Sequence, residues 1–351
     1  MKRVVAYLAS WPITEGRVSV QDINPQLLTH INYSFANLKP DGEIITDFGA
    51  PEEEIYRQLS CMRRENPHLR VLLSVGGWGW SGSFSDAAAY AESRERFAET
   101  ALRFLLRWEF DGLDIDWEFP VAGGDGIRHR PEDRENFTRL LQAVRQKFDE
   151  QEQKDGKHYL LSMAAGIGKQ AVQNLELTKI EPLLDFINVM TYDFAGSWSK
   201  QTAHPSPLYP EGPGQGCADS SIRLYLQGGI PAEKLNLGLN FSGRGWHKVP
   251  AGDRHGLHQP CAPGGWKGEP LGFCHITGTL IKQKNFVRYF DEQARVPYLY
   301  NGTDFISYED EESIAEKVQY AQKMGLGGIM FWEFSGDRET VLQQRIAEIL
   351  R

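Results

Sequence analysis

Three carboxylates fall on one face of a single predicted strand in the run Phe110-Asp111-Gly112-Leu113-Asp114-Ile115-Asp116-Trp117-Glu118-Phe119-Pro120. Side chains along a strand alternate between two faces. Asp114, Asp116 and Glu118 therefore share one face, and Leu113, Ile115 and Trp117 share the other. Neighbouring carboxylates in a partly enclosed site cannot all ionise cheaply, so at least one is pushed to keep its proton. A carboxyl that stays protonated near neutral pH can act as a general acid. The run admits two other readings. One is a divalent metal site, although the run holds no His and lacks the sixth-position Gly and twelfth-position Glu of an EF-hand loop. The other is a row of solvated acids on an edge strand, which the interleaved Leu, Ile and Trp oppose. Asp111 has the wrong parity for the acidic face and is read as structural.

Ser74, Gly76 and Gly77 supply space: glycine lets backbone approach closely beneath a crowded carboxylate cluster. The glycine run Gly123-Gly124-Asp125-Gly126 lacks the P-loop lysine and does not follow a strand-to-helix pattern. The nine histidines show no zinc spacing. No Ser-His-Asp arrangement stands out. Neither a metal nor a cofactor is expected.

The elements that must position these residues alternate. Apolar, β-like runs cover 3–11, 30–37, 70–77, 112–118, 159–166, 186–192, 235–241 and 328–334. Most are apolar almost throughout, as strands covered on both faces should be. Amphipathic stretches with three- and four-residue spacing lie between them at 52–65, 93–108, 131–150, 217–227, 313–324 and 338–350. Eight such alternations in 351 residues predict a (β/α)8 barrel of the α/β class, a single catalytic unit over 1–351. The stretch 243–307, rich in Gly, Pro, His and aromatics and strand-like towards its end, predicts a small α+β insertion module between strand seven and helix seven. Glu118 closes strand four at its C-terminal end, the end where catalytic groups of such barrels sit.

Composition agrees with a folded enzyme-sized chain. Apolar residues make up 41%, charged residues 24%, aromatics 11%, and the formal net charge is −9. That balance favours neither nucleic acid nor an anionic membrane as partner, and it leaves a neutral ligand such as a sugar unaffected. No apolar run reaches the length of a membrane span. The opening Met1-Lys2-Arg3 leads straight into an aromatic-containing strand rather than a signal-peptide core. The expectation is a cytoplasmic protein, or a secreted one whose signal has been removed. Cys61 reads as a buried helix thiol. Cys261 and Cys274 bracket the Gly/Pro-rich loop and could pair.

Asp111-x-x-Asp114-x-Asp116-x-Glu118 resembles the D-x-x-D-x-D-x-E signature of the family-18 glycoside hydrolases, the chitinase family. Ser74-Val-Gly76-Gly77-Trp78 is similar to the family's strand-three motif. Met190-Thr-Tyr192-Asp193, followed by Gly196-Ser-Trp198, His204 and Pro207-Leu208, resembles its strand-six segment. Gly243-Arg244-Gly-Trp246 and Gly327-Gly328-Ile-Met330-Phe-Trp332-Glu333 resemble the segments at strands seven and eight. The insertion module resembles that of the deep-cleft branch. Ser242 departs from the pattern, standing where relatives often carry Tyr, which bears on one sugar contact and not on the chemistry.

The resemblance implies hydrolysis of β-1,4-linked N-acetylglucosamine polymers and oligomers with retention. Glu118 would protonate the glycosidic oxygen while the substrate's own 2-acetamido carbonyl attacks the anomeric carbon, in place of an enzyme nucleophile. Asp116 would orient the acetamido N–H, Asp114 would share a proton with Asp116, and Tyr192 would bind the acetamido oxygen. Tyr7, Phe35, Met190 and Trp332 would line the pocket. Gly77 and Asp193 would complete it, with Trp78, Trp80 and Trp198 as stacking surfaces and Arg244 as donor to a sugar or to Asp193. Chitin or chitooligosaccharides are the implied partners of a monomer. Two related activities stay open: an endo-β-N-acetylglucosaminidase acting on N-glycan cores and a peptidoglycan-directed glucosaminidase. So does a non-catalytic chitin-binding lectin, although such relatives typically lose the acid.

Overall fold

A computed structural model describes residues 2–351 except 47, 48, 125 and 213. Met1 of the opening segment and Asp125 of the glycine run lie outside the described residues. Eight parallel strands form the body: Arg3–Ala9, His30–Leu38, Arg70–Gly76, Gly112–Asp116, Leu160–Ala165, Phe186–Val189, Leu235–Asn240 and Gly328–Trp332. Each pairs with its neighbour in chain order, strand eight pairs with strand one, and strand one pairs with strand two. The sheet is therefore closed, with no free edge in the ring.

The six amphipathic stretches are helices: Ala50–Glu65, Ala91–Trp108, Asp133–Asp155, Ala218–Gln227, Glu311–Lys323 and Val341–Leu350. The first and fifth connections carry only short helical pieces, Ser10–Thr14 in one and Gly168–Gln173 with Leu177–Ile180 in the other. Most buried apolar residues fill the layer between ring and helices. Leu113, Ile115 and Trp117 belong to that layer, and Trp117 stacks on Phe84 at 5.2 Å. Period two then turns Asp114 and Asp116 to the barrel axis, as the sequence pattern predicts.

The long connection after strand seven carries its own antiparallel sheet, in the order Val287–Asp291, Val296–Tyr300, Phe305–Ser307, Arg244–Trp246. Trp246, Val249, Leu257, Tyr298, Tyr300 and Phe305 give it a separate apolar cluster, which Ala195 of the connection after strand six joins. A helical stretch, Phe273–His275 continuing through Ile276–Leu280, precedes the hairpin.

Three expectations need correction. Cys61 is exposed: the buried stripe of its helix runs through Ile55, Tyr56, Leu59 and Ser60, and the next position turns outward at 100° per residue. Cys261 and Cys274 are free thiols. Strands four and six end at Asp116 and Val189, so Glu118 and Tyr192 stand on the segments just past the ladder. Hydropathy alone overran both ends.

Candidate active site

Strand register builds the floor of the site. Ser74 pairs with Asp114, and Asp114 pairs with Ser162. The three side chains thus meet in one layer inside the barrel. Asp114 Oδ2 accepts from Tyr7 Oη at 2.8 Å and Ser74 Oγ at 2.7 Å, and Oδ1 accepts from Ser162 Oγ at 2.6 Å. Asn188 in turn donates to Tyr7 Oη at 3.3 Å. Burial raises the Asp114 pKa, and the three hydroxyls pull it back.

Asp116 lies one layer higher. It is buried, and its Oδ1 has no hydrogen-bond partner among the described residues. Burial first, then the charges of Glu118 and Asp114, push its pKa well above the usual carboxylate range. Ser81, a residue the sequence reading did not single out, ties the two acids' backbones together. Its Oγ donates to the Asp116 carbonyl at 3.0 Å and accepts from the Glu118 amide at 3.0 Å. Only its place shortly after the strand-three motif could have signalled this.

Glu118 faces the open side. Burial, and next the charge of Asp193, raise its pKa to about 7. Its proton is therefore held near neutrality, the condition for a general acid. The Tyr192 hydroxyl stands in the same field, its pKa raised well above normal by burial and then by Asp116 and Glu118. It donates to Met330 Sδ at 3.7 Å, a weak acceptor that an oxygen of a ligand could replace. Arg244, at the start of the inserted sheet, donates to Asp193 Oδ1 from Nη2 at 2.6 Å and Nε at 2.9 Å.

These groups open into a cavity of about 990 Å³ at the C-terminal end of the ring. Tyr7, Phe35, Trp78, Trp80, Asp116, Glu118, Met190, Tyr192, Asp193, Trp198, Arg244 and Trp332 all line it. Asp114 lies beneath. Gly77 stands behind the wall, and a Cβ there would meet the Phe35 ring at 2.5 Å. Its absence lets Phe35 stack on Trp332 at 5.6 Å and 18°. Phe35 and Tyr7 sit within their strands. Trp11, Phe119 and Ile167 also line the cavity and were not foreseen. Trp11 had a readable signal: a large aromatic just past the end of strand one. It is 41% exposed and packs 6.0 Å from Trp332.

A closed (β/α)8 ring with three stacked carboxyls opening into an aromatic-walled cavity at the C-terminal face is the architecture of a barrel enzyme. Comparison with known proteins narrows this. The chain belongs to the glycosyl hydrolases family 18, whose model matches residues 3–337. It is 38% identical to chitinase A1 of Niallia circulans, covering 98% of this chain and 58% of that one. It is 36% identical to chitotriosidase-1 of Mus musculus, covering 94% of this chain and 72% of that one. A family-18 N-acetylglucosaminidase from Paenibacillus barengoltzii superposes with a TM-score of 0.90 at 36% identity, covering 99% of both chains. The Ostrinia furnacalis Group IV chitinase in complex with allosamidin superposes with a TM-score of 0.90 at 29% identity, over 100% of this chain and 99% of that one.

Proposed function

We propose that this chain hydrolyses β-1,4-linked N-acetylglucosamine chains, with chitin or chitooligosaccharide as substrate, by substrate-assisted catalysis with retention. The observation that carries the reading is the Asp116 carboxylate. A buried oxygen without a donor is costly, and the acetamido N–H of a sugar at this level would supply one. Trp332 offers that sugar a flat apolar floor. Asp116 would then hold the acetamido group while Tyr192 donates to its carbonyl oxygen, aligning that oxygen with the anomeric carbon. Glu118 gives its proton to the leaving oxygen as the C–O bond breaks. The acetamido oxygen forms the new bond, giving a cyclic oxazolinium. The hydrogen bond from the acetamido N–H to Asp116 steadies the positive charge that develops there. Water then opens the ring and returns its proton to Glu118. Asp114 stays below, its oxygens satisfied by Tyr7, Ser74 and Ser162.

The similarity over 99% of both chains to an N-acetylglucosaminidase favours a second reading of the cutting position: release of single sugars from a chain end by the same chemistry. Product analysis on a reduced hexamer of N-acetylglucosamine decides between them. Disaccharide or trisaccharide among the first products supports internal or disaccharide-releasing action, and monosaccharide with the matching reduced pentamer in the first minute supports the second reading. The same chromatogram tests the main reading, because no cleavage at all would leave only sugar binding.

A further inference from the structure

Away from the carboxylate ladder, three metal-ligating side chains meet in the seam between the connection after strand six and the inserted sheet. They are His204, Glu211 and Asp291, and one ligand atom from each lies within 4.8 Å of the other two. His204 Nε2 is 3.4 Å from Asp291 Oδ2 and 3.7 Å from Glu211 Oε1. Zinc bonds of about 2.0–2.1 Å in a tetrahedron place ligand atoms roughly 3.3 Å apart. The two separations from His204 are within a few tenths of an ångström of that, and the third pair lies within 4.8 Å. All three side chains are nine-tenths or more buried, with exposures of 0%, 6% and 2%.

The surroundings orient these atoms inward. His204 Nδ1 is engaged by Ser307 Oγ at 2.7 Å, which fixes Nε2 towards the carboxylates. Asp291 Oδ1 accepts from the amides of Gln293 at 2.9 Å and Ala294 at 3.1 Å. That leaves Oδ2 for His204 and for Arg254, which donates to it as well. Glu211 supplies the independent observation. Its Oε1 is buried and accepts no hydrogen bond among the described residues, although His258 Nε2 lies 2.9 Å away. A buried carboxylate oxygen without a donor is costly, and a cation held between the three side chains would supply its missing partner.

We propose that His204, Glu211 and Asp291 form a binding site for a zinc-type divalent cation, with its fourth position open to water, which clamps the connection after strand six to the inserted sheet. One imidazole and two carboxylates suit zinc better than the all-oxygen shells of calcium or magnesium. The connection that Glu211 and His204 anchor is the one that carries Asp193 and Trp198 into the cavity. The clamp therefore steadies one wall of the cleft and takes no part in the chemistry at Glu118. The spacing rules that reveal zinc motifs miss it, because His204 and Asp291 are 87 positions apart.

Metal titration of the full chain tests the site. Protein purified without a histidine tag and dialysed against chelator is titrated with Zn2+ and with Co2+. One equivalent of either should bind at micromolar concentration, and Co2+ should show the visible absorption of a tetrahedral site. Zinc should raise the melting temperature by at least ~2 °C, and chelator should reverse the rise. Glu211→Gln should lose both the equivalent and the stabilisation while keeping its far-UV spectrum. The rival arrangement is a metal-free network in which Arg254, His204 and His258 answer both carboxylates. There zinc neither binds nor raises the melting temperature of the wild type, and that result overturns the site. So does one equivalent bound equally by wild type and Glu211→Gln, which would place the metal elsewhere. Should the variant fail to fold, the wild-type titration alone decides.

Discussion

Arg244 grips a single carboxylate oxygen of Asp193 with two nitrogens, and Asp193 is the charge that, after burial, most raises the pKa of Glu118. The ion pair thus sets how much negative charge the acid feels. Asp193→Asn removes a like charge, so the Glu118 pKa falls below about 7 and the alkaline limb of the kcat/KM profile moves to lower pH. Arg244→Gln frees the Asp193 charge from its counterion and moves that limb to higher pH. Profiles on a soluble chromogenic oligosaccharide check both directions; two shifts of the same sign would refute the arrangement.

Glu118 also links stability to pH. Its pKa rises from 4.5 to about 7 in the folded chain, so the folded state binds its proton more tightly than the unfolded state. The resulting stabilisation is complete below about 4.5 and is lost as pH climbs through about 7. Its upper bound is about 3 kcal/mol. Glu118→Gln cannot ionise, so its melting temperature should exceed that of wild type at pH 8 and approach it at pH 5. The same variant should bind oligosaccharide and lose several orders of magnitude in turnover. Activity within tenfold of wild type would remove Glu118 from its role.

Asp116→Ala and Tyr192→Phe should each lower kcat more than they raise KM. In the proposed mechanism both contacts strengthen as the acetamido oxygen attacks, so they would bind the transition state more than the ground state. Steady-state kinetics separate the two effects. A change in KM alone would contradict the roles given to both side chains.

Gly77→Ala tests the space behind the wall. The new Cβ would stand 2.5 Å from the Phe35 ring, at a φ of +80° that alanine resists. Phe35 must then move, and its stack on Trp332 with it. Destabilisation of about 1–3 kcal/mol and a raised KM are expected. Unchanged denaturation and KM would show that Phe35 yields freely.

Much of this was legible in the chain. Strands covered on both faces announce themselves by unbroken apolar runs, and period two placed Asp114 and Asp116 inward and Asp111 apart. Asp111 indeed faces Arg63, Lys157 and the Val71 amide at the opposite end of strand four. What the sequence hid depends on distance or on fine geometry. Ser81 matters because it bridges two backbone groups 35 or more positions away. His204 meets Asp291 only once the inserted sheet has folded. The ends of strands four and six were misplaced because hydropathy continues past the last ladder bond.

Deacetylated substrate gives the sharpest test of the chemistry. The attacking atom belongs to the N-acetyl group at the cleavage point, so glucosamine there removes the nucleophile and not merely a contact. Fully deacetylated oligomers should bind yet not be cut at a measurable rate. A stable thiazoline analogue of the cyclic intermediate should inhibit competitively and more tightly than a substrate of equal length. From acetylated oligomers the first anomer formed should be β, because two displacements at one carbon restore the starting configuration. NMR within seconds of mixing, before mutarotation, reads that anomer directly. An initial α-anomer would mean a single attack by water, with Glu118 still the acid and the acetamido group only a handle. In that case Asp116→Ala would raise KM and leave kcat nearly intact, so the two measurements must agree.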